Sequence, residues 1–156
     1  MTRDQICAKL LEIGLTLPEA PKALAVYVPA VEVGGLVYVS GQLPMKEGKL
    51  AATGIVGQSV SLEEAQAAAR QCAVNAIAAV GLALNGEFDR LDRIIKVEAF
   101  IASDPGFTSQ HLVANGFSEV LGHVFGPAGI HARAAVGVPC LPLNAAVEVA
   151  LLAKVK

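Results

Sequence analysis

The stretch from Ser61 to Leu84 constrains this chain more than any other. Ser61 and Glu64 have the Ser-x-x-Glu spacing of a capping box, in which each side chain meets the other residue's backbone N–H. Behind the box, Leu62, Ala65, Ala69, Cys72, Ala73, Ala76, Ile77, Val80 and Leu84 recur with a 3.6-residue period. The spacing predicts a long helix with one buried face, stopped by Asn85-Gly86. With so many alanines, that face can lie close against a sheet.

The rest of the chain supplies the sheet. Ile6, Leu10, Leu11 and Ile13 follow Thr2, a candidate N-cap, at helical spacing, and Gly14 ends that short helix. Pro18 and Pro21 mark a linker. Residues 23–33 read as a strand interrupted by Pro29, which implies an edge or a bulge. Gly34-Gly35 is a hairpin signal, with the return strand at 36–40. Gly41-Gln42-Leu43-Pro44 breaks it, and 47–49 form a turn. Residues 94–102 read as a strand, and Asp104-Pro105-Gly106 as a turn. A second helix runs from Phe107 or Thr108 to Val124, closed by Gly126-Pro127 and Gly129. Strands at 131–138 and 145–153 finish the chain. The order is a short helix, then ββ, then αβαββ. It predicts one α+β domain over residues 1–156, with 1–20 as a helical extension and two helices covering one face of a mixed sheet. The sheet's other face also reads as apolar and needs a partner.

Composition narrows the class. The 156 residues are 54% hydrophobic and 17% charged. Mean hydropathy is +0.55, yet no apolar run approaches the ~20 residues of a membrane helix. The surplus of apolar surface points to burial between subunits. Net charge is −2, and no Lys/Arg cluster offers the basic stripe of a nucleic-acid binder. Cys7, Cys72 and Cys140 form no CxxC pair, so neither a disulfide framework nor a zinc site is expected. Cys72 reads as core and Cys140 as a loop residue. The first 14 residues carry Arg3, Asp4, Lys9 and Glu12 and lack the apolar core of a signal peptide. A soluble cytosolic protein is expected, without membrane or nucleic-acid partners.

Four motifs then stand in order. Arg133-Ala134-Ala135-Val136-Gly137-Val138-Pro139-Cys140-Leu141-Pro142 places Pro142 nine residues after the arginine, and Glu148 lies fifteen after it. Val39-Ser40-Gly41-Gln42-Leu43-Pro44 comes earlier, with Tyr27 thirteen residues before Ser40. Asn115 falls in the second predicted helix. This constellation, spanning about residues 23–156, resembles the Rid/YjgF family of reactive-intermediate imine deaminases, in a longer subgroup with an extra N-terminal helix. The resemblance implies a chorismate-mutase-like fold and a homotrimer with clefts between subunits. It also implies hydrolysis of reactive 2-imino or enamino acids to 2-oxo acids and ammonia, without metal or other cofactor. The chain departs from the pattern in two places. Ala135 stands where well-known members have a cysteine, and Leu24-Ala25-Val26 replaces a Gly-Pro-Tyr lead-in to Tyr27.

Each candidate has a chemical reading beside a plain one. Arg133 offers a planar fork for a substrate carboxylate, or is an exposed arginine on an edge strand. Glu148, in an apolar strand, handles the attacking water from a raised pKa, or pairs with a structural partner. Tyr27 holds the nitrogen end of the substrate, or is an ordinary strand tyrosine. Ser40 and Gly41 end a strand, where a hydroxyl and a backbone N–H meet the ligand, or are simply its turn. By resemblance, Ala135 contributes backbone contacts and Asn115 joins the binding set. His111, His123 and His131 lack ligand spacing. His131 is two residues from Arg133, so on a strand they share a face; it borders the cleft or is merely half exposed. Three functions compete: an imine hydrolase, a non-catalytic module that binds small carboxylates through the same arginine, and a ribonuclease. The acidic pI of about 5.9 opposes the last.

Overall fold

The structure, a computed structural model, describes residues 1–20 and 26–156. Pro21 of the linker, the start of the expected strand at 23 and the Leu24-Ala25 lead-in lie outside them. Helix α1 (Arg3–Leu11) leads into the hairpin of β1 (Ala30–Val33) and β2 (Leu36–Gln42). A two-stranded finger, β3 (Met45–Lys46) and β4 (Lys49–Leu50), precedes α2 (Leu62–Ala83). Then follow β5 (Leu91–Ala102), α3 (Gln110–Phe125), β6 (Ala132–Val138) and β7 (Val147–Val155). The sheet order is β1-β2-β7-β5-β6. Among the described strands only β5 and β6 pair in parallel, which their crossover connection through α3 allows.

Capping fixes both N-terminal helix starts. The Ser61 N–H donates to Glu64 Oε2 (2.8 Å) and the Glu64 N–H to Ser61 Oγ (3.2 Å). Thr2 builds the same box with Gln5, each box stabilising its helix by about 1 kcal/mol. The alanine face of α2 packs on β2 and β7, where Val37, Val149 and Leu151 are buried. Gly116 sets the approach of α3 to α2: a Cβ there would stand 2.4 Å from the Gln66 carbonyl oxygen. The finger is tied to α2 by the buried Asn75, whose amide donates to the Leu43 and Met45 carbonyls at 2.9 and 3.0 Å. Helix α1 rests on α3, burying Ile6 and Leu10 completely.

Several boundaries move from their expected places, each for a local reason. Strand β1 begins at Ala30, because Pro29 lies just outside it, its carbonyl accepting the Ser40 N–H at 2.9 Å. Strand β2 does not break at Gly41. Val39 faces Leu151 and Gln42 faces Val149, so Ser40 and Gly41 together oppose Ala150 as a β-bulge. Helix α3 starts at Gln110, later than Phe107 or Thr108. Asp104 captures the Gly106 N–H on Oδ1 (2.8 Å) and the Phe107 N–H on its carbonyl (2.9 Å), holding that stretch in a turn. Strand β5 begins three residues early, at Leu91, through two register irregularities that carry Asp92 and Arg93 along the sheet. Strand β7 starts at Val147, after a tight turn with Leu143 and Asn144 at positive φ.

Among the described residues, no element covers the second sheet face. Val31, Val33, Tyr38 and Val136 lie on it, each between 46% and 59% exposed. No helix among the described residues is long and apolar enough to cross a membrane.

Candidate functional site

Arg133 sits on β6, the edge strand next to β5. It pairs with Val97, and Val97 with Leu151, both buried toward the helices. Its side chain therefore rises on the helix-covered face and meets α3. Nη1 donates to Asn115 Oδ1 and to Ser118 Oγ, both at 3.0 Å, and Nη2 donates to the His111 carbonyl at 3.2 Å. These three acceptors take three of the five guanidinium N–H groups. One hydrogen on Nε and one on Nη2 have no partner among the described residues, the number a carboxylate accepts in a bidentate pair. No described carboxylate lies within ion-pair distance of Arg133. The cation is held in place by neutral oxygens and has no counter-charge among the described residues.

Asn115 is thus brought to Arg133, as an acceptor that orients it; its amide nitrogen is free among the described residues. Ala135 lies two residues further along β6 on the same face, half-buried against the core. Ser118 and the His111 carbonyl escaped the sequence reading. The signal was present: His111, Asn115 and Ser118 stand at i, i+4 and i+7, one stripe of a helix. His131, immediately before β6, also joins this group. Its Nε2 is 3.0 Å from Ser118 Oγ and its Nδ1 2.6 Å from the Gly129 carbonyl. Burial pushes the imidazole below its ordinary value, the Gly129 carbonyl pulls it back up, and the Arg133 charge lowers it again.

A second group forms on the bare face. Glu148 on β7 pairs with Phe100 and makes no ion pair among the described residues. Its carboxylate lies over the bulge: a Cβ on Gly41 would be 1.9 Å from Glu148 Oε1. Only glycine leaves room for it there. Burial raises the Glu148 carboxyl above its ordinary value. The Ser40 hydroxyl is committed to the backbone, donating to the Val28 carbonyl at 2.8 Å. It thereby ties β2 to the bend that carries Tyr27. Tyr27 lies three residues ahead of β1 rather than within a strand, and is 49% exposed.

The chain therefore carries two separate groups, Arg133 with Asn115, Ser118 and Ala135 beside it, and Glu148 over Gly41 in the bulge that Ser40 shares; Tyr27 is linked to the second only through the Ser40–Val28 hydrogen bond. Strands β7 and β6 are separated by β5, about 10 Å of sheet width, and the two groups face opposite ways. No cluster of three or more metal-ligating side chains occurs among the described residues. Cys72 is buried and Cys140 exposed.

Residues 7–155 match the family described as "YjgF/chorismate mutase-like, putative endoribonuclease". The chain is 44% identical to protein TCP17 of Trypanosoma cruzi, over 93% of this chain and 91% of that protein. Among solved structures, protein Atu1372 of Agrobacterium tumefaciens is 50% identical, with a TM-score of 0.93 over 98% of this chain and 94% of that one. A Shewanella oneidensis protein, described as a "putative endoribonuclease", is 33% identical, with a TM-score of 0.89 over 95% and 97%.

Proposed function

This chain belongs to the YjgF/chorismate mutase-like family, and we propose that it hydrolyses reactive 2-imino acids and their enamine tautomers to 2-oxo acids and ammonia. The observation that carries this reading is the state of Arg133: oriented by three neutral acceptors, without a carboxylate partner among the described residues, and with two N–H donors to spare. A guanidinium kept in that state is a receptor for an anion from outside.

Magnitudes favour a site between copies. In one chain Arg133 is exposed, and an exposed ion pair contributes roughly 0–1 kcal/mol. The same pair in a covered cleft contributes about 2–5 kcal/mol. The bare apolar face supplies the cover, and it carries Glu148. We therefore propose a homotrimer in which Arg133 of one copy meets Glu148, Gly41 and Tyr27 of the next.

In that cleft the substrate's carboxylate binds Arg133, with the Ala135 backbone as a second anchor. Glu148, its pKa raised by burial, takes a proton from water as the oxygen adds to the imine carbon. The tetrahedral carbinolamine results. In the carbinolamine formed from the protonated imine, the nitrogen takes this proton back from Glu148; as the C–N bond breaks and ammonia leaves, the hydroxyl proton passes to the Glu148 carboxylate and the 2-oxo acid remains. Tyr27 steadies the nitrogen end. The uncatalysed hydrolysis is already quick, so orientation and electrostatics need supply only modest acceleration.

The test is ammonia release from freshly generated 2-iminopropionate, followed by stopped flow, wild type beside Arg133→Ala. A faster wild type supports the reading. Equal rates in two folded proteins sink it. Binding of 2-oxo acids with no turnover would leave a carboxylate-binding module in its place.

A further inference from the structure

We propose that Ser118 and His131 are positioning residues for Arg133, acting as a single hydrogen-bonded relay that fixes which guanidinium donors face the ligand. The proposal rests on the reading of Arg133 as the carboxylate receptor and names the residues that make it one.

The direction of every hydrogen in the relay follows from chemistry. The Gly129 carbonyl can only accept, so His131 Nδ1, 2.6 Å away, carries a hydrogen. Arg133 Nη1 can only donate, so Ser118 Oγ, 3.0 Å away, accepts from it. That leaves the Ser118 hydroxyl hydrogen and the His131 Nε2 lone pair, 3.0 Å apart, as donor and acceptor. The neutral Nδ1–H tautomer of His131 satisfies all three bonds at once. The imidazole is anchored to the backbone of the Gly126–Gly129 turn. Through Ser118 it holds the serine's lone pair toward Arg133.

This arrangement is more than packing. A serine on a helix ordinarily turns its hydroxyl to the carbonyl one turn back, or to water. Here the hydroxyl hydrogen is drawn to the imidazole, which frees an oxygen lone pair for Nη1. With Asn115 on the other Nη1 hydrogen, that nitrogen is saturated. The ligand is thereby directed to the remaining Nε and Nη2 hydrogens. Remove the imidazole, and the hydroxyl is free to rotate away from the guanidinium. The arginine then keeps its charge and loses its orientation.

The experiment has two readouts on the intact protein. The first is the Kd for pyruvate, an unreactive 2-oxo acid, measured by calorimetry. Ser118→Ala and His131→Ala should each weaken pyruvate roughly 3–10-fold, the range of one typical hydrogen bond. Because both break one link, the double variant should be no worse than Ser118→Ala alone. Ser118→Thr, which keeps a hydroxyl, should bind like wild type. The second readout needs no ligand: the NMR signals of the Arg133 guanidinium, whose restricted rotation should be lost in both alanine variants and kept in Ser118→Thr. Multiplying effects in the double variant would overturn the relay. So would an Arg133 signal indifferent to His131→Ala. Pyruvate binding unaffected by Arg133→Ala, with the NMR result as expected, would instead overturn the carboxylate reading and leave the relay standing.

Discussion

Arg133 and Glu148 project from opposite faces of the same sheet, on strands that flank β5. The arginine belongs to the register line Arg133–Val97–Leu151 and the glutamate to Val136–Phe100–Glu148. Side-chain alternation along β5 puts those two lines on different sides. A reaction that uses both residues needs two copies of the chain.

That geometry gives a complementation test. Arg133→Ala and Glu148→Gln should each be nearly inactive alone. Mixed, denatured and refolded together, they should recover activity, since about one site in four then joins an intact arginine to an intact glutamate from different copies. No recovery, in oligomers shown to contain both variants, would put both residues of a site in one chain. Light scattering on the wild type should give three times the 16.0 kDa chain mass; a monomer at micromolar concentration would remove the basis of the cleft.

Arg133→Ala should lower kcat/KM by ~30-fold or more, the loss of a desolvated charge-assisted pair of about 2–5 kcal/mol. Arg133→Lys should recover only part of it. An ammonium cannot reproduce the planar contacts to Asn115, Ser118 and the His111 carbonyl while also presenting two parallel donors. A lysine variant as active as wild type would mean that charge alone suffices.

The sequence made the architecture legible because its strongest periodic signals sit in the elements that carry the core. The capping box at Ser61, the apolar stripe of α2 and the Gly34-Gly35 hairpin all act locally. The misread boundaries depend on partners distant in sequence. Gly41 reads as a strand breaker until β7 lies beside it and the extra residue is absorbed as a bulge against Ala150. Phe107 reads as helical until Asp104 captures its N–H. Arg133 and Glu148 stood out by motif, and strand spacing put His131 on the same face as Arg133. That His131 and Arg133 meet through Ser118 was not visible, because it depends on how β6 docks against α3.

The α2–α3 contact gives a stability prediction with an internal control. Gly116→Ala should destabilise by about 1–3 kcal/mol, since the new Cβ overpacks a backbone carbonyl that cannot yield without moving the helix. Gly122, on the same helix, has nothing within 4 Å of the place a Cβ would take. Gly122→Ala should stabilise by up to ~1 kcal/mol through helix propensity. Urea unfolding at fixed protein concentration reads both; equal effects would mean that Gly116 is not a packing glycine.

Glu148 should show a conflict between stability and function. Its folded-state pKa lies above its ordinary value because burial penalises the charged form. Such a group favours the fold fully below its unfolded-state pKa and loses that contribution as pH rises through the folded value. Above that folded value the charged carboxylate is at a disadvantage. Glu148→Gln should therefore raise Tm on the high-pH side of the transition, and the difference from wild type should shrink as pH falls through it. Turnover should fall at the same time, with pyruvate binding less affected, because Arg133 still holds the carboxylate. Gly41→Ala supplies the steric version: its Cβ takes the place of Glu148 Oε1, and a flexible side chain can move aside. It should lower kcat while leaving the fold intact and the Kd for pyruvate within about threefold, less than the loss of one typical hydrogen bond. If Glu148→Gln turns over substrate like wild type across pH 5–9, Glu148 plays no part in moving the water's proton.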